Sequence, residues 1–252
     1  MTLINDLLNT LPDREVSEVI IGLHWTAVVT GVKEGRYCGL ATTYSEPHDH
    51  HEAADVPNAG ELETVNGLVL ATNAQSDRPV MRSVGIATIN SLLIPDDLNL
   101  VDQNAEQAIA AHGEGKKVVL VGRFPFVPSL RKTIRDLTIL EIHPHPGEVP
   151  ASSAQDVVPA ADVVAITGMS LINHTFEDLL NLCPPEAYVI VLGPSAPLSP
   201  VLFDYGVNLI CGSLVTKIAP VLRAVRQGAN FRQVHRVGVR LISMAREDNK
   251  DQ

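Results

Sequence analysis

Glycines and small polar side chains recur at the positions where buried strands are predicted to end. In an open parallel sheet, ligands bind beyond the carboxyl ends of the strands, and glycine lets the backbone approach a ligand closely. Each glycine alone could simply close a tight turn, and the chain has no G-x-G-x-x-G or P-loop pattern. Taken together, the set predicts a ligand cleft. The ligand-binding candidates are Gly122, Phe124, Glu141, Thr167, Gly168, Asn173, Thr175, Gly193, Pro194, Ser195 and Gly212.

Three of these candidates could act through their side chains. Asn173 lies in an otherwise apolar segment, where its amide could contact a ligand or cap a helix. Ser195 lies in a proline-rich loop that would hold a hydroxyl in place, but no G-x-S-x-G elbow surrounds it, which disfavours a serine hydrolase. Glu141 ends a predicted buried strand, so it could ligate a metal or act as a general base if burial raises its pKa.

Histidines form a second group of candidates. The segment His48-Asp49-His50-His51-Glu52 places imidazoles and carboxylates within five residues. These are ligands for divalent transition metals such as zinc, nickel, copper or iron, so His48, His50 and His51 are candidate metal ligands. The same segment could be a solvated loop. His143, close to Glu141 and His145, is a further candidate ligand, although the prolines beside it also suit a rigid turn.

The pattern of apolar residues predicts two domains. Residues 16–31 and 36–44 are rich in β-branched residues around the turn Lys33-Glu34-Gly35, which predicts a hairpin, and 61–75 and 79–93 have helical spacing. We therefore expect a small α+β domain over residues 1–100. From residue 103 onward helices and short buried strands alternate, which predicts a Rossmann-like parallel sheet over 101–252. The predicted strands are 117–122, 137–142, 162–167, 188–193 and 208–212, and the predicted helices are 103–112, 128–135 and 170–182.

Composition and charge exclude several classes of partner. The 252 residues carry a formal net charge of −10, which gives little electrostatic drive toward nucleic acid or an anionic membrane. The three cysteines show no C-x-x-C spacing, and the first eleven residues have the pattern of an amphipathic helix rather than a signal peptide. We expect a cytoplasmic protein, and a homodimer is the oligomer that an α/β domain of this size favours.

Two loop sequences resemble a known family. The sequence Thr167-Gly168-x-Ser170-Leu171-Ile172-Asn173-x-Thr175, followed by Leu192-Gly193-Pro194-Ser195-x-Pro197-Leu198-x-Pro200, is similar to the putative heavy-metal chelation family, long classed as a domain of unknown function. The resemblance implies an N-terminal domain like that of enolase, a Rossmann-like C-terminal domain, and a site between them. It transfers a fold more securely than a function.

These observations leave three hypotheses. The first is a protein that binds a metal or a metal chelate in the cleft between the two domains. The alternative is an enzyme acting on a small anionic or nucleotide-like metabolite, oriented by Asn173, Thr175 and Ser195, with Glu141 transferring a proton. The third is a regulatory or scaffold module without chemistry. Dependence on metal separates the first two.

Overall fold

The computed structural model describes residues 2–32, 35–46, 54–93, 100–101 and 103–246. The first part of the chain forms a small antiparallel sheet with helices packed on it. The sheet order is β1-β2-β3. Its elements are α1 (Leu3–Thr10), β1 (Val16–Ile21), β2 (Trp25–Thr30), β3 (Tyr37–Thr42), α2 (Gly67–Ala71) and α3 (Pro79–Leu92).

The prediction of a single strand over 16–31 is wrong. Two antiparallel strands, β1 and β2, occupy that stretch, with the turn at residues 22–24. Gly22 donates its N–H to the carbonyl of Trp25 over 3.0 Å, and a Cβ on Gly22 would lie 2.6 Å from the carbonyl oxygen of Val225. The turn is therefore fixed partly by a close approach from the distant C-terminal part of the chain, which the local pattern does not reveal.

The second part of the chain builds a larger sheet. Its strands are β4 (Leu100–Val101), β5 (Lys117–Val121), β6 (Asp136–Glu141), β7 (Val149–Pro150), β8 (Val163–Thr167), β9 (Tyr188–Leu192), β10 (Leu209–Val215) and β11 (Val239–Ala245). Its helices are α4 (Ala105–Gly113), α5 (Val127–Thr133), α6 (Ala154–Val157), α7 (Met169–Ile172), α8 (Phe176–Leu182), α9 (Val201–Asp204), α10 (Ile218–Arg226) and α11 (Phe231–Gly238).

The larger sheet is mostly parallel, as predicted. Its order is β4-β11-β10-β9-β8-β5-β6-β7, and the run from β10 to β7 is parallel throughout. Among those parallel strands the spatial order is third, second, first, fourth, fifth, sixth, which is the order of a doubly wound sheet. The order reverses between β5 and β8, so this is the position where such sheets open a crevice for ligands.

The sequence prediction for this part of the chain differs from the structure in several elements, and the helices α6, α9, α10 and α11 were not predicted. It missed the short strands β4 and β7 and the antiparallel strand β11, which pairs with β10 along its whole length. It also predicted one helix over 170–182, where the structure has α7 and α8 separated by Asn173, His174 and Thr175. His174 has φ of 60°, outside the helical region, and this residue interrupts the helix.

The two parts of the chain share one hydrophobic core. Leu7 and Ile86 from the first part belong to the same buried cluster as Leu171, Phe176 and Leu202 from the second. The long helix α3 contacts β2 and β3 of the small sheet and also α7 of the second part. The carboxyl edge of the large sheet is therefore held in a fixed position against the small sheet.

Among the described residues, none of the helices has the length and apolar character needed to cross a membrane. Cys38, Cys183 and Cys211 are free thiols.

Candidate functional site

A cavity of about 1010 Å³ opens at the carboxyl edge of the large sheet. Trp25 and Thr42 of the small sheet and Phe231 of α11 contribute to its walls. All eleven ligand-binding candidates line it: Gly122, Phe124, Glu141, Thr167, Gly168, Asn173, Thr175, Gly193, Pro194, Ser195 and Gly212. The candidates are thus brought together at one surface, and their role in ligand binding remains a prediction. We call this cavity the cleft.

Two sets of loops, which follow neighbouring strands of the large sheet, line the cleft. The loops after β8 and β9, residues 167–175 and 193–200, are called the motif wall because they carry the sequences that resemble the family. The loops after β5 and β6, residues 122–126 and 141–142, are called the edge wall.

The strand-end glycines use their amides within the sheet. Gly122 donates to the carbonyl of Leu140 over 2.8 Å, Gly168 to that of Leu192 over 2.7 Å, and Gly193 to that of Cys211 over 3.0 Å. The N–H of Met169 is also bonded within its loop, because it donates to the hydroxyl of Thr167 over 3.3 Å. Neither Gly168 nor Met169 therefore has a free N–H to offer an anion.

Gly168 and Gly193 of the motif wall are needed for different structural reasons. A Cβ on Gly168 would lie 2.5 Å from the backbone nitrogen of Ala196, so the two loops of this wall touch backbone to backbone. Gly193 has φ of +109°, which side chains rarely adopt, and the space beside it is open. Gly168 is therefore required for packing, whereas Gly193 is required for its backbone conformation.

The polar side chains of the first motif loop bond one another. Asn173 accepts through Oδ1 from the N–H of Thr175 at 3.2 Å and from its hydroxyl at 2.7 Å. The hydroxyl of Ser170 donates to the carbonyl of Thr167 over 2.6 Å. His174 approaches the carbonyl of Ala74 at 3.0 Å and so joins this loop to the first part of the chain. These bonds shape the turn between α7 and α8.

Ser195 joins the second motif loop to the small sheet. Its Oγ accepts from the N–H of Thr42 at 2.9 Å and donates to the hydroxyl of Thr42 over 3.2 Å, and the residue is only 2% exposed. Asn90 of α3 donates through Nδ2 to the carbonyl of Leu40 over 2.9 Å and to that of Pro194 over 3.2 Å. The sequence analysis did not include Asn90 among the site residues, because a contact with a residue more than a hundred positions away leaves no local pattern.

The edge wall holds the carboxylate of Glu141 and the guanidinium of Arg123, which is paired with Glu148. Glu141 accepts through Oε2 from the N–H of Arg123 at 3.0 Å and through Oε1 from the N–H of Ile142 at 2.8 Å. Arg123 binds Glu148 through two nitrogens, at 2.8 and 2.5 Å, and also donates to the carbonyl of His143 over 2.9 Å. The Arg123 guanidinium, with the N–H of His145, lowers the pKa of Glu148 to about 2. Both groups of this pair are therefore charged at neutral pH.

Aromatic rings lie at two places around the cleft. Phe124 and Phe126 stack with centroids 5.2 Å apart and an interplanar angle of 13°. Trp25 and Phe231 meet at 5.7 Å in a tilted pair. All four residues line the cleft. The sequence analysis did not include Trp25 among the site residues, since nothing in its neighbourhood predicted that this ring would line the cleft.

The predicted metal ligands are not gathered in the described part of the chain. His48, His50 and His51 lie outside the described residues. His143 is exposed, is not among the residues lining the cleft, and contributes its carbonyl to Arg123. Within the described ranges, no three His, Cys, Asp or Glu side chains are close enough to hold a metal ion together. Burial raises the pKa of Cys211, which lines the cleft, to about 11, so this thiol is protonated at neutral pH.

Family models match both parts of the chain. Residues 105–244 match the DUF364 family and residues 4–93 the DUF4213 family, and both families are described as "putative heavy-metal chelation". The first match alone covers more than half of the 252 residues. The chain belongs to this family. The resemblance seen in the two motif loops is thereby confirmed.

Individual relatives support the membership over nearly the whole chain. An uncharacterized protein of Methanocaldococcus jannaschii is 26% identical over an alignment of 230 residues, and the match covers 86% of this chain and 86% of that one. The crystal structure of a DUF364-family protein of unknown function from Desulfitobacterium hafniense matches with a TM-score of 0.82 and 26% identity, covering 97% of this chain and 98% of that one. A second one, from Pyrococcus horikoshii, has the same fold, with a TM-score of 0.80, 17% identity and the same coverage. The predicted mixed α/β fold is confirmed.

Proposed function

We propose that the protein binds a transition metal in chelated form, as cargo, with the organic part of the chelate held in the cleft between the small sheet and the carboxyl edge of the large sheet. The observation that carries this proposal is the size and lining of the cleft. A cavity of about 1010 Å³ is of the size that takes an organic ligand and far larger than an ion requires. Aromatic rings at two places in its walls suit a flat organic chelator.

The donor groups of the described residues favour a chelate over a bare ion. A protein site for a transition metal ion needs three or four donor side chains. Such a group of His, Cys, Asp or Glu is absent from the described ranges, and Cys211 is protonated at neutral pH. An organic chelator supplies those donors itself, so the protein has only to recognise the complex. The family description, heavy-metal chelation, agrees with a metal-containing ligand.

Trp25 offers a direct test, because it is the only tryptophan of the chain and lines the cleft. The nickel–bipyridine complex is a suitable probe, since it is aromatic and contains a metal that quenches tryptophan fluorescence. We expect saturable quenching by the complex and much weaker quenching by nickel alone or by bipyridine alone. Quenching by nickel alone as strong as that by the complex, or no saturable quenching by the complex, would overturn the proposal.

A pair of aromatic truncations sharpens this test. Phe124→Ala removes a ring from the edge wall, so we expect weaker binding of the complex. Phe203→Ala is the matched control, because Phe203 is a half-buried phenylalanine that does not line the cleft. Equal losses of affinity in the two variants would indicate that the complex does not contact the edge wall.

The hypothesis of an enzyme acting on a small metabolite has less support from the geometry. The oxygen of Asn173 and the hydroxyl of Ser195, which were expected to orient a substrate, are hydrogen-bonded within the protein. The proposal therefore concerns binding. The cytoplasmic location and the homodimer remain predictions.

A further inference from the structure

The edge wall holds one carboxylate in a fixed position. Each oxygen of Glu141 accepts one backbone N–H, at 3.0 and 2.8 Å, and the two donors belong to the loops after β5 and β6. A carboxylate has about four acceptor sites, so each oxygen can accept one more hydrogen bond. Glu141 lines the cleft. Two adjacent oxygens with spare acceptor capacity match the spacing of two vicinal hydroxyl groups.

The topology gives this carboxylate a recognisable position. β5 is the first parallel strand of the sheet and β6 is the second, and Glu141 is the last residue of β6. It follows Gly122, which comes directly after β5, by nineteen positions. In doubly wound sheets that bind nucleotides, an acidic residue about 20 positions after the first strand-end glycines accepts a hydrogen bond from the ribose. Glu141 therefore occupies the place of a ribose acceptor.

The loop after β5 adds an aromatic surface to the wall that holds Glu141. Phe124 and Phe126 are half-buried, line the cleft and stack on each other at 5.2 Å. Phe124 directly follows Arg123, whose N–H bonds Glu141. Nucleic-acid bases stack on aromatic side chains with little dependence on base identity. The edge wall can thus offer both a stacking surface for a base and an acceptor for a ribose.

The same loop lacks the features that bind a diphosphate. It has no G-x-G-x-x-G sequence, and the amide of Gly122 is bonded to Leu140. Pro128, in the first turn of α5, has no N–H to donate. The guanidinium of Arg123 is held by the carboxylate of Glu148. This combination disfavours a dinucleotide.

We propose that the edge wall binds the ribose and base of a nucleoside without a diphosphate, with the vicinal hydroxyls of the ribose donating to Glu141. The inference goes beyond chelate binding, since it concerns contacts of the edge wall alone and needs no metal. It requires only that the cleft admits small molecules.

Calorimetric titration of the full chain with adenosine tests this inference without any metal. We expect saturable binding, with 2′-deoxyadenosine weaker by about tenfold because one hydrogen bond to a charged acceptor is lost. Adenosine diphosphate is expected to bind no more tightly than adenosine. Guanosine and uridine are titrated in parallel, because stacking alone is tolerant of the base. If none of the three nucleosides binds, or if 2′-deoxyadenosine binds as tightly as adenosine, the inference is wrong.

A substitution of Glu141 tests whether its carboxylate causes the preference for adenosine over 2′-deoxyadenosine. Glu141→Gln keeps the shape of the side chain but removes its charge and one acceptor oxygen, so we expect it to abolish the preference for adenosine over 2′-deoxyadenosine. Glu106→Gln is the matched control, because Glu106 also lines the cleft but lies on α4. An unchanged preference in Glu141→Gln would contradict the inference. If that variant does not fold, the comparison of the two nucleosides on the unmodified protein decides.

The nucleoside test and the chelate test fail separately. Quenching of Trp25 by nickel–bipyridine without any binding of nucleosides would leave chelate binding in place and remove the ribose site. Binding of adenosine without binding of the complex would do the reverse.

Discussion

The motif wall and the edge wall contribute to the same cleft, but their polar groups differ in what they bond. In the motif wall, Asn173 bonds Thr175, and Ser195 bonds Thr42 of the small sheet. In the edge wall, Glu141 bonds two backbone amides and its oxygens retain acceptor capacity. The polar side chains of the motif loops therefore bond mainly within the protein, Asn173 inside its own loop and Ser195 to the small sheet. The edge wall differs in keeping a carboxylate whose oxygens can accept further hydrogen bonds.

The largest effect is expected at the contact between the two motif loops. Gly168→Ala places a Cβ 2.5 Å from the backbone nitrogen of Ala196, and neither backbone can move without disturbing the other. We expect the free energy of unfolding to fall by about 2–3 kcal/mol, as for other overpacked sites, measured by urea denaturation. Gly35→Ala is the control, because a Cβ there meets nothing within 4 Å. Equal stability of the two variants would show that the motif loops are not tightly packed.

A smaller loss is expected where the motif wall meets the small sheet. Ser195→Ala leaves the N–H of the half-buried Thr42 without its acceptor, so we expect a loss of about 1–2 kcal/mol in unfolding free energy. Binding of nickel–bipyridine should be nearly unchanged in the folded variant. Ser152→Ala, at an exposed serine that also lines the cleft, is the control. A variant of Ser195 that is fully stable but binds the complex poorly would indicate that Ser195 contacts the ligand instead of joining the motif wall to the small sheet.

The ion pair of the edge wall should appear as a dependence of stability on pH. The pKa of Glu148 is held at about 2, below its ordinary 4.5, first by the hydrogen bond from Arg123 and then by the N–H of His145. The unfolded chain therefore takes up this proton first as the pH falls. The contribution of the Glu148–Arg123 pair to the free energy of unfolding is complete above about pH 4.5 and is lost as the pH approaches 2.

The matching experiment compares melting temperatures of the unmodified protein and Glu148→Gln across that range. The variant should be less stable at neutral pH, and the difference should narrow as the pH falls from 4.5 toward 2. Glu186→Gln, at an exposed position, provides the control for loss of one negative charge. A difference that stays constant over this range would mean that the pair with Arg123 does not persist in solution.

The smallest expected effect on stability is that of His112, which lies outside both walls. His112, at the end of α4, stacks on Tyr188 with centroids 3.8 Å apart, and burial, followed by the charge of Lys116, lowers its pKa below 6.5. The unfolded chain binds this proton more readily, so stability should fall slightly as the pH drops through 6.5 and below. His112→Phe keeps a stacked ring and removes the titration. Its melting temperature should change less between pH 7 and 5.5, and an identical change would disprove the role of His112.

The sequence predicted the central strands well because they are buried on both faces. The runs Val118–Val121 and Val163–Ile166 are continuous apolar segments between turn residues, and such segments form parallel strands. The division between β1 and β2 was missed, because Gly22 is fixed by Val225, about two hundred positions away. Antiparallel β11 was missed because its position depends on pairing with β10, which the local pattern does not express.

That the candidate residues line one cavity could be predicted from the sequence, but their hydrogen bonds could not. The rule that ligands bind beyond the carboxyl ends of parallel strands was enough to select residues that all line the cleft. Whether a polar side chain is free for a ligand depends on its partner, and Ser195 finds its partner in Thr42, on the other sheet. Trp25 and Asn90 reach the site or its supports in the same way, through contacts between distant parts of the chain.

The most direct test of chelate binding is the position of the metal in a crystal of the protein soaked with nickel–bipyridine, located by the anomalous scattering of nickel. The account predicts one strong peak in the cleft, near Trp25 and Phe124, with density for the aromatic ligand around it. A peak at the His48–His51 segment without bipyridine, or no ordered nickel in the cleft of a crystal that has taken up the complex, would contradict it.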